Sequence, residues 1–186
     1  MSRFTFATTP LAGLLVVEPQ RMADERGFFS RFFCAEEFAR AGFDRAVAQM
    51  NHTLTRRTGA VRGMHFQHPP HAEIKVVTCL RGSVFDVAVD IRRDSPTFLR
   101  WHAQILSAEN ARSLLIPRGF AHGFQALGDD CELLYLHSDA YAPAAEGALN
   151  ALDPLLAIGW PLEPTELSDR DRAHPPIGAD FHGIAP

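Results

Sequence analysis

The sequence predicts an all-β fold, organised as a sandwich or a barrel. Two features of the chain carry this prediction. Short segments rich in β-branched and aromatic residues recur along it, and turn-forming residues separate them about every eight to twelve positions. A single helical segment interrupts this pattern in the first three quarters of the chain. Many short strands with few helices are typical of sandwiches and barrels.

The elements follow in chain order from these signals. Gly13–Glu18 is an apolar run that Pro19 ends, which indicates a buried strand. Ala35–Ala41 predicts a short helix, because Gly42 is well placed as its C-terminal cap. The other extended segments are predicted at 28–33, 46–54, 61–67, 73–80, 83–91, 98–106, 111–116, 121–127 and 131–137. From about residue 143 the chain is richer in Ala, Leu and Pro, so loops and one or two short helices are expected there.

The length of 186 residues suits a single domain, with a core barrel at about 44–140 and a C-terminal segment, 141–186, packed on it. The formal net charge of -4 gives no basic footprint, so no nucleic-acid partner is expected. No apolar run is long enough for a membrane helix and no leader peptide is evident. Three widely spaced cysteines without a CxxC motif indicate a reducing compartment, and a cytoplasmic location is expected.

The chemistry is expected to centre on Val61–Gln67, where His65 lies between apolar residues, and on Lys75, the only lysine of the chain. Histidine suits a general base because its ordinary pKa is about 6.5. Lysine offers a compact ammonium that the planar fork of arginine does not reproduce. Taken alone, His65 is equally consistent with a core histidine, and Lys75 with a solvated surface charge.

Three further groups have both a structural and a chemical interpretation. Tyr135 is either a packing residue or a phenolic acid. Ser168 and Asp171 form either a helix capping box or, through Asp171, a carboxylate that orients the ring of His65. The candidate phosphate-binding forks are Arg26, Arg62 and Arg170.

A metal site is the main alternative for the same histidines. Pro117–His122 resembles the second signature of the cupin jelly rolls, in which a glycine allows a tight entry and the histidine points into the barrel. The spacing of His65, His68 and Glu73 does not fit the first cupin signature. A metal-dependent cupin enzyme using these three residues and His122 is one alternative. A sugar-binding cupin without activity is another.

Taken together, the motifs resemble those of the dTDP-4-dehydrorhamnose 3,5-epimerase family of sugar-nucleotide epimerases. The matching stretches are 24–29, Gln49-x-Asn51-His52, 62–67, Lys75, 82–90, 106–110, 117–124, 134–135, 146–147, 159–161 and 167–171. Because these motifs occur in order along nearly the whole chain, the resemblance is specific.

The resemblance implies a cupin double-stranded β-helix that uses no metal or other cofactor, acting as a homodimer on a nucleoside-diphosphate 4-keto-6-deoxy sugar in deoxysugar and polysaccharide biosynthesis. It implies that His65 is the base, held by Asp171, and that Tyr135 is the acid on the opposite face of the sugar. Lys75 would stabilise the enolate formed at the C4 ketone. The implied substrate-binding residues are Arg62 and Arg170 for the diphosphate, Gln49, Asn51, His122, Tyr141 and Glu146 for the sugar and nucleotide, and Arg26 and Phe29 from the partner subunit.

Several positions depart from the family pattern where the nucleotide is expected. Arg31 replaces a glutamate, Met50 an aspartate, Leu136 a lysine and Ala140 the first tyrosine of a pair, which leaves Tyr141 as the stacking aromatic. Glutamate accepts a hydrogen bond from thymine N3–H, whereas arginine donates. We therefore expect either dTDP or another nucleotide such as CDP or GDP. Inversion at C3, at C5 or at both centres is left open.

Overall fold

A computed structural model describes residues 2–186, and antiparallel β-sheet dominates them. Thirteen strands and two short α-helices are present in these residues. The strands are β1 Phe4–Thr8, β2 Leu15–Pro19, β3 Met22–Asp24, β4 Gly27–Phe29, β5 Gln49–Thr55, β6 Val61–Gln67, β7 Lys75–Arg81, β8 Ser83–Asp90, β9 Trp101–Ser107, β10 Ser113–Ile116, β11 Phe120–Ala126, β12 Cys131–His137 and β13 Glu146–Ala148. The helices are α1 Ala35–Arg40 and α2 Asp169–Arg172, and a 3-10 turn covers Pro143–Ala145.

Two sheets face each other as a jelly roll, which confirms the all-β prediction. The six-stranded sheet has the order β1-β2-β10-β7-β12-β5, and the five-stranded sheet has the order β13-β6-β11-β8-β9. Both contribute to one apolar core, for example Val77 and Leu133 from the first sheet and Val84 and Phe124 from the second. Strand alternation explains this core, since every second side chain of each strand points between the sheets.

The outer faces of the two sheets are covered by different parts of the chain. Helix α1 buries Phe38 completely, in edge contact with Phe4 at a ring separation of 5.0 Å, over the outer face of the six-stranded sheet. The C-terminal segment lays Leu156 and Trp160 on the outer side of the five-stranded sheet, beside Val87. This second covering brings α2 next to β6.

The strand predictions differ from the structure at several ends. Strands β1, β3 and β13 were not expected, because each is short and lies at a sheet edge or outside both large sheets. Of the predicted 28–33 region only Phe28 and Phe29 are in a strand, β4. The strand predicted from residue 98 begins at Trp101, since Leu99 adopts a positive φ of 60° in the preceding turn. Within residues 2–186 no helix is long and apolar enough to cross a membrane.

Candidate active site

A cavity of about 900 Å³ opens at one end of the barrel, and the pattern of each strand explains its polar lining. Along β12 the inward positions change from the apolar Cys131 and Leu133 to Tyr135 and His137. Strand β7 runs antiparallel and begins with Lys75 opposite His137. The apolar inward residues form the barrel floor, and the polar ones therefore gather at the same open end.

His65 and Asp171 form a hydrogen-bonded pair in this cavity. His65 Nε2 lies 2.7 Å from Asp171 Oδ1, and the aspartate side chain is only 5% exposed whereas that of His65 is 30% exposed. The backbone N–H of Asp171 donates to Ser168 Oγ at 3.0 Å, so Ser168 caps α2. Ser168 is thus the N-cap residue, and this cap fixes the helix turn that presents the Asp171 carboxylate to His65.

The charge of Asp171 sets the tautomer of His65. Burial opposes ionisation of this carboxyl, but the hydrogen bond and charge of His65 and the N–H of Gly63 outweigh it, and the pKa of Asp171 lies below its ordinary value. A carboxylate only accepts hydrogen bonds, so Nε2 of His65 carries the proton and Nδ1 of the neutral ring keeps a free lone pair. The partly exposed His65 ring can therefore accept a proton from a molecule in the cavity.

Close contact between β6 and β11 places His65 beside His122. Gly63 has φ 127°, and a Cβ there would lie 2.5 Å from Gly123 Cα, so no other residue fits without backbone movement. The pairing places His65 opposite His122, and the register shifts between His122 and Phe124. The glycine before His65 in the sequence is thus explained by strand contact, which aims both rings at one cavity.

Lys75 lies at the cavity wall in an ion pair. Its Nζ is 3.1 Å from Glu73 Oε1 and 3.5 Å from the carbonyl oxygen of His65. The other oxygen of Glu73 lies 2.6 Å from Nδ1 of His137. Burial disfavours the charged form of Glu73, yet the bond to His137 and the charge of Lys75 prevail and hold its pKa below the usual value. The solitary lysine is therefore an ordered cation within the cavity.

Tyr135 lies on the wall opposite His65, since β12 belongs to the six-stranded sheet and β6 to the five-stranded one. Its ring is parallel to that of His137, at 17° and 6.0 Å between centroids, and edge-on to that of His122 at 6.0 Å. Burial, and next the charge of Asp86, raise the pKa of the Tyr135 phenol above its ordinary value. The phenol is consequently protonated at neutral pH and able to donate.

His122 lines the cavity and forms a second histidine–carboxylate pair with the buried Asp86. His122 Nε2 is 2.8 Å from Asp86 Oδ1, and both side chains are buried. Burial raises the pKa of Asp86, although the charges of His122 and Lys75 oppose the shift. Asp86 belongs to an inward-facing position of β8, and it fixes the orientation of His122.

The rim of the cavity carries two of the three predicted phosphate-binding arginines, Arg62 and Arg170. Arg170 makes two bonds to Glu146, of 2.7 and 3.0 Å, and Tyr141 Oη donates to the same carboxylate at 2.8 Å. Arg62, on the five-stranded sheet, donates at 3.1 Å to Oγ1 of Thr55, which belongs to the six-stranded sheet. These residues all line the cavity, so its mouth presents two arginine forks to a ligand.

Gln49 and Asn51 continue this polar rim along β5. Gln49 Oε1 accepts the backbone N–H of Tyr141 at 3.0 Å, and its amide nitrogen donates to Asn51 Oδ1. Asn51 lines the cavity, whereas Gln49 does not and only bonds to Asn51 and Tyr141 beside it.

Besides Gln49, three predicted binding residues do not line the cavity of the single chain. Arg26 and Phe29 belong to the β3–β4 hairpin, where the Arg26 side chain is 84% exposed and pairs with Asp24. Arg31 follows the hairpin and lies 3.8 Å from Glu37. None of the three lines the cavity in the part of the chain that the structure describes.

The four residues of the metal alternative are not assembled into one site. His65, His122 and Glu73 each bind a different partner side chain, and His68 packs edge-on against Phe66 at 5.0 Å, outside the cavity lining. Among residues 2–186 no group of three or more His, Cys, Asp or Glu residues is placed to hold a metal ion.

Sequence reasoning missed His137 and Asp86 as site residues, and it considered Glu73 only as a metal ligand. Strand alternation was the available signal for His137, because it lies two positions after Tyr135 and therefore on the same face. Its pairing with Glu73, 64 positions away, depends on the β7–β12 register and could not be read from local spacing.

The fold and the site together define a class: a jelly-roll enzyme of the cupin type that carries a histidine–aspartate pair and a tyrosine on opposite walls of one cavity. A family model for dTDP-4-dehydrorhamnose 3,5-epimerase matches residues 8–178. The chain belongs to this family, and it is therefore an isomerase that acts on a sugar nucleotide.

Individual relatives agree with this membership. The chain is 43% identical over 164 residues to dTDP-4-dehydrorhamnose 3,5-epimerase of Shigella flexneri, covering 88% of this chain and 90% of the relative. A dTDP-6-deoxy-D-glucose-3,5-epimerase from Legionella pneumophila, solved with dTDP-4-keto-L-rhamnose, superposes with a TM-score of 0.90 at 40% identity, over 97% and 98% of the two chains. ChmJ, a 3'-monoepimerase of Streptomyces bikiniensis solved with dTDP-quinovose, gives 0.84 at 40% identity, over 90% and 85%.

Proposed function

We propose that the chain inverts C3, C5 or both of a nucleoside-diphosphate-linked 4-keto-6-deoxy sugar. The observation that carries this proposal is the placement of His65, with Asp171 behind it, and of Tyr135 on opposite walls of one cavity. An epimerase must remove a proton from one face of a carbon and return one to the other face. A base and an acid on facing walls meet this requirement.

Each proton transfer uses a group already ordered in the cavity. Nδ1 of His65 takes the proton from the carbon next to the C4 ketone. The electron pair of the broken C–H bond moves into the enolate. The ammonium of Lys75 stabilises the developing oxyanion, which makes that proton removable. Tyr135 then donates its phenolic proton to the opposite face of the carbon. Proton exchange with solvent returns His65 and Tyr135 to their starting states.

The rim residues suit the diphosphate and nucleotide of this substrate. Arg62 and Arg170 provide the two forks for the diphosphate, and Arg170 exchanges its bonds to Glu146 for phosphate oxygens. The sugar and nucleotide contacts are assigned to Gln49, Asn51, His122, Tyr141 and Glu146. Of these, Tyr141 is 52% exposed at the mouth and is available to stack on a base.

The base of the nucleotide is the first specific question. The relatives named above act on or bind dTDP sugars. In this chain Arg31 is a donor and favours a base with acceptor edges, such as cytosine or guanine, and Met50 and Ala140 remove two further side chains of the family pattern. Titration calorimetry with dTDP, CDP and GDP decides between these possibilities. A clear preference for dTDP would contradict the role assigned to the three departures.

A homodimer is part of the proposal, because Arg26, Phe29 and Arg31 lie outside the single-chain cavity. The β3–β4 hairpin exposes Phe28 and Phe29, each at 60%, and Met22 at 39%. Such a paired aromatic surface favours coverage by a second copy, which would bring Arg26 and Phe29 to the partner's cavity.

Mixed dimers test this arrangement directly. Arg26→Ala and His65→Ala are each expected to be nearly inactive alone. After joint unfolding and reassembly, half of the dimers would be mixed and each would hold one complete site, which returns about a quarter of the wild-type activity. Recovery of no activity, or a monomeric mass in light scattering, would contradict the shared site.

The decisive test of the reaction is solvent exchange. The protein is incubated in D2O with dTDP-4-keto-L-rhamnose, or with the CDP or GDP counterpart if calorimetry selects it, and deuterium is located by NMR. Label at C3, at C5 or at both identifies the inverted centres. If no nucleotide sugar gains deuterium at C3 or at C5, the proposed function is refuted.

A further inference from the structure

We infer that Glu73 and His137 act together as positioning residues for the proton-transfer groups, an inference that rests on the proposed function. Glu73 holds the Lys75 ammonium at the ketone position and, through its second oxygen, fixes the ring of His137 against Tyr135. The pair thus connects the oxyanion-stabilising cation with the wall that carries the acid.

Contacts on every side define the pair. The Glu73 and His137 side chains are 8% and 10% exposed, and both still line the cavity. His137 Nδ1 lies 2.6 Å from Glu73 Oε2, and Nε2 of the same ring is 3.3 Å from the Asn51 amide nitrogen. Because the His137 ring is parallel to that of Tyr135, its orientation also limits where the phenol can lie.

Donor and acceptor counting shows why a carboxylate is needed at position 73. Glu73 offers two oxygens, and each receives one donor, from Lys75 and from His137. Since Nδ1 of His137 donates, Nε2 of the neutral ring accepts from Asn51, whose own oxygen is occupied by Gln49. The whole chain of bonds therefore requires the Nδ1–H tautomer of His137.

Glu73→Gln removes this arrangement at almost constant volume. An amide has one acceptor oxygen for two donors, so either Lys75 loses its partner or His137 must change tautomer and place a donor against the Asn51 amide. A buried donor left without a partner destabilises the local geometry. The variant keeps the shape of the cavity and changes only how Lys75 and His137 are held.

The surface pair of His52 and Glu132 provides a matched control. His52 Nε2 lies 3.0 Å from Glu132 Oε2, and this pair joins β5 to β12, the strand that also carries His137, but outside the cavity lining. Glu132→Gln makes the same chemical change in a histidine–glutamate pair of the same protein. It is expected to leave kcat and KM within about twofold of the wild-type values.

Glu73→Gln is expected to lower kcat by about tenfold or more, while KM changes by less than about threefold, because the interaction matters chiefly as the oxyanion develops. His137→Ala is expected to produce a similar loss. The double variant is expected to be no slower than the slower single variant, since the two residues act as one unit.

Histidine tautomers give a readout that does not depend on turnover. In the protein labelled with ¹⁵N-histidine, long-range ¹H–¹⁵N spectra are expected to show His137 as the Nδ1–H form, and Glu73→Gln is expected to change that signal while Glu132→Gln does not. A merely stabilising role would instead lower the melting temperature without a selective loss of kcat.

Three results would overturn the inference alone: Glu73→Gln with wild-type kcat in an active enzyme, strictly additive effects in the double variant, or a wild-type His137 in the Nε2–H form. A wild-type protein that exchanges no substrate proton would overturn the proposed function, and this inference with it. The wild-type exchange measurement therefore distinguishes failure of this inference from failure of the proposed function.

Discussion

Replacing Asp171 by asparagine is the sharpest single test of the assignment of His65 as base. The aspartate is nearly isosteric with asparagine and receives the Nε2–H of His65 at 2.7 Å and, more weakly, the N–H of Gly63 at 3.4 Å. An asparagine in the same place can donate its amide to Nε2. His65 would then carry its proton on Nδ1, the nitrogen that must accept a proton from the substrate.

The expected loss follows from this change of tautomer. The histidine remains in place, but the base-competent form becomes the minor one, and the imidazolium formed during the reaction loses its carboxylate partner. An asparagine at the orienting carboxylate of a serine protease triad lowers kcat by about 10⁴-fold. Because His65 is 30% exposed here and solvent shares in stabilising its charge, we expect a smaller loss of about 10²–10³-fold, which corresponds to about 3–4 kcal/mol.

The assay is the rate of deuterium incorporation from D2O at C3 and C5 of the best-bound 4-keto sugar nucleotide. Asp169→Asn is the matched control, because Asp169 lies in the same helix turn and is exposed. It should leave the rate within about twofold of the wild-type value. Asp171→Asn with a rate within about threefold of the wild type would refute the role of the His65–Asp171 pair.

Three other changes test separate parts of the structure. His65→Ala is expected to abolish deuterium incorporation at both carbons, and normal activity would refute the mechanism. Tyr135→Phe is expected to cut turnover strongly while exchange at the carbon persists in part, measured by comparing the product and exchange rates in the same NMR series. Burial of Asp90 raises its pKa, but hydrogen bonds from Arg92, Ser95 and Thr97 outweigh this effect and lower the pKa from 3.8 to about 2. The ionised Asp90 therefore stabilises the fold above about pH 4, and this stabilisation is lost as the pH falls towards 2. The difference in urea midpoint between the wild type and Asp90→Asn should therefore correspond to about 2 kcal/mol at pH 6 and shrink at pH 2.5; an equal difference at both pH values would contradict it.

The strand pattern of the barrel was predictable because period-two alternation is local. Val61–Gln67 and Cys131–His137 have the predicted bounds, and the all-β class follows from such runs. Strands β1 and β13 were missed because both are short. Strand β1 has five residues and is stabilised by pairing with β2, and β13 has three residues and is stabilised by pairing with β6. Their existence depends on tertiary pairing, which overrides weak local preference.

The site residues likewise fall into those that local sequence identifies and those that only tertiary packing brings together. His65, Lys75 and Tyr135 could be named from residue type and neighbours, and the structure places all three on one cavity. The carboxylate partner of His65 is Asp171, 106 positions away, and His137, which lies beside Tyr135, pairs with Glu73 across 64 positions. Only the packing of the C-terminal segment and the β7–β12 register bring these groups together, and neither is encoded in a local pattern.

Arg31 connects the two specific parts of the proposal, the choice of base and the dimer. It lies outside the cavity of its own chain, beyond the exposed β3–β4 hairpin, and its side chain is 43% exposed near Glu37. A donor in this position can therefore affect the nucleotide only if the hairpin of one copy reaches the cavity of the other. Arg31→Glu, which restores an acceptor, is expected to move preference towards dTDP in the dimer. If the preference for dTDP over CDP and GDP is the same in this variant as in the wild type, base recognition must come from residues of the cavity itself, such as Tyr141.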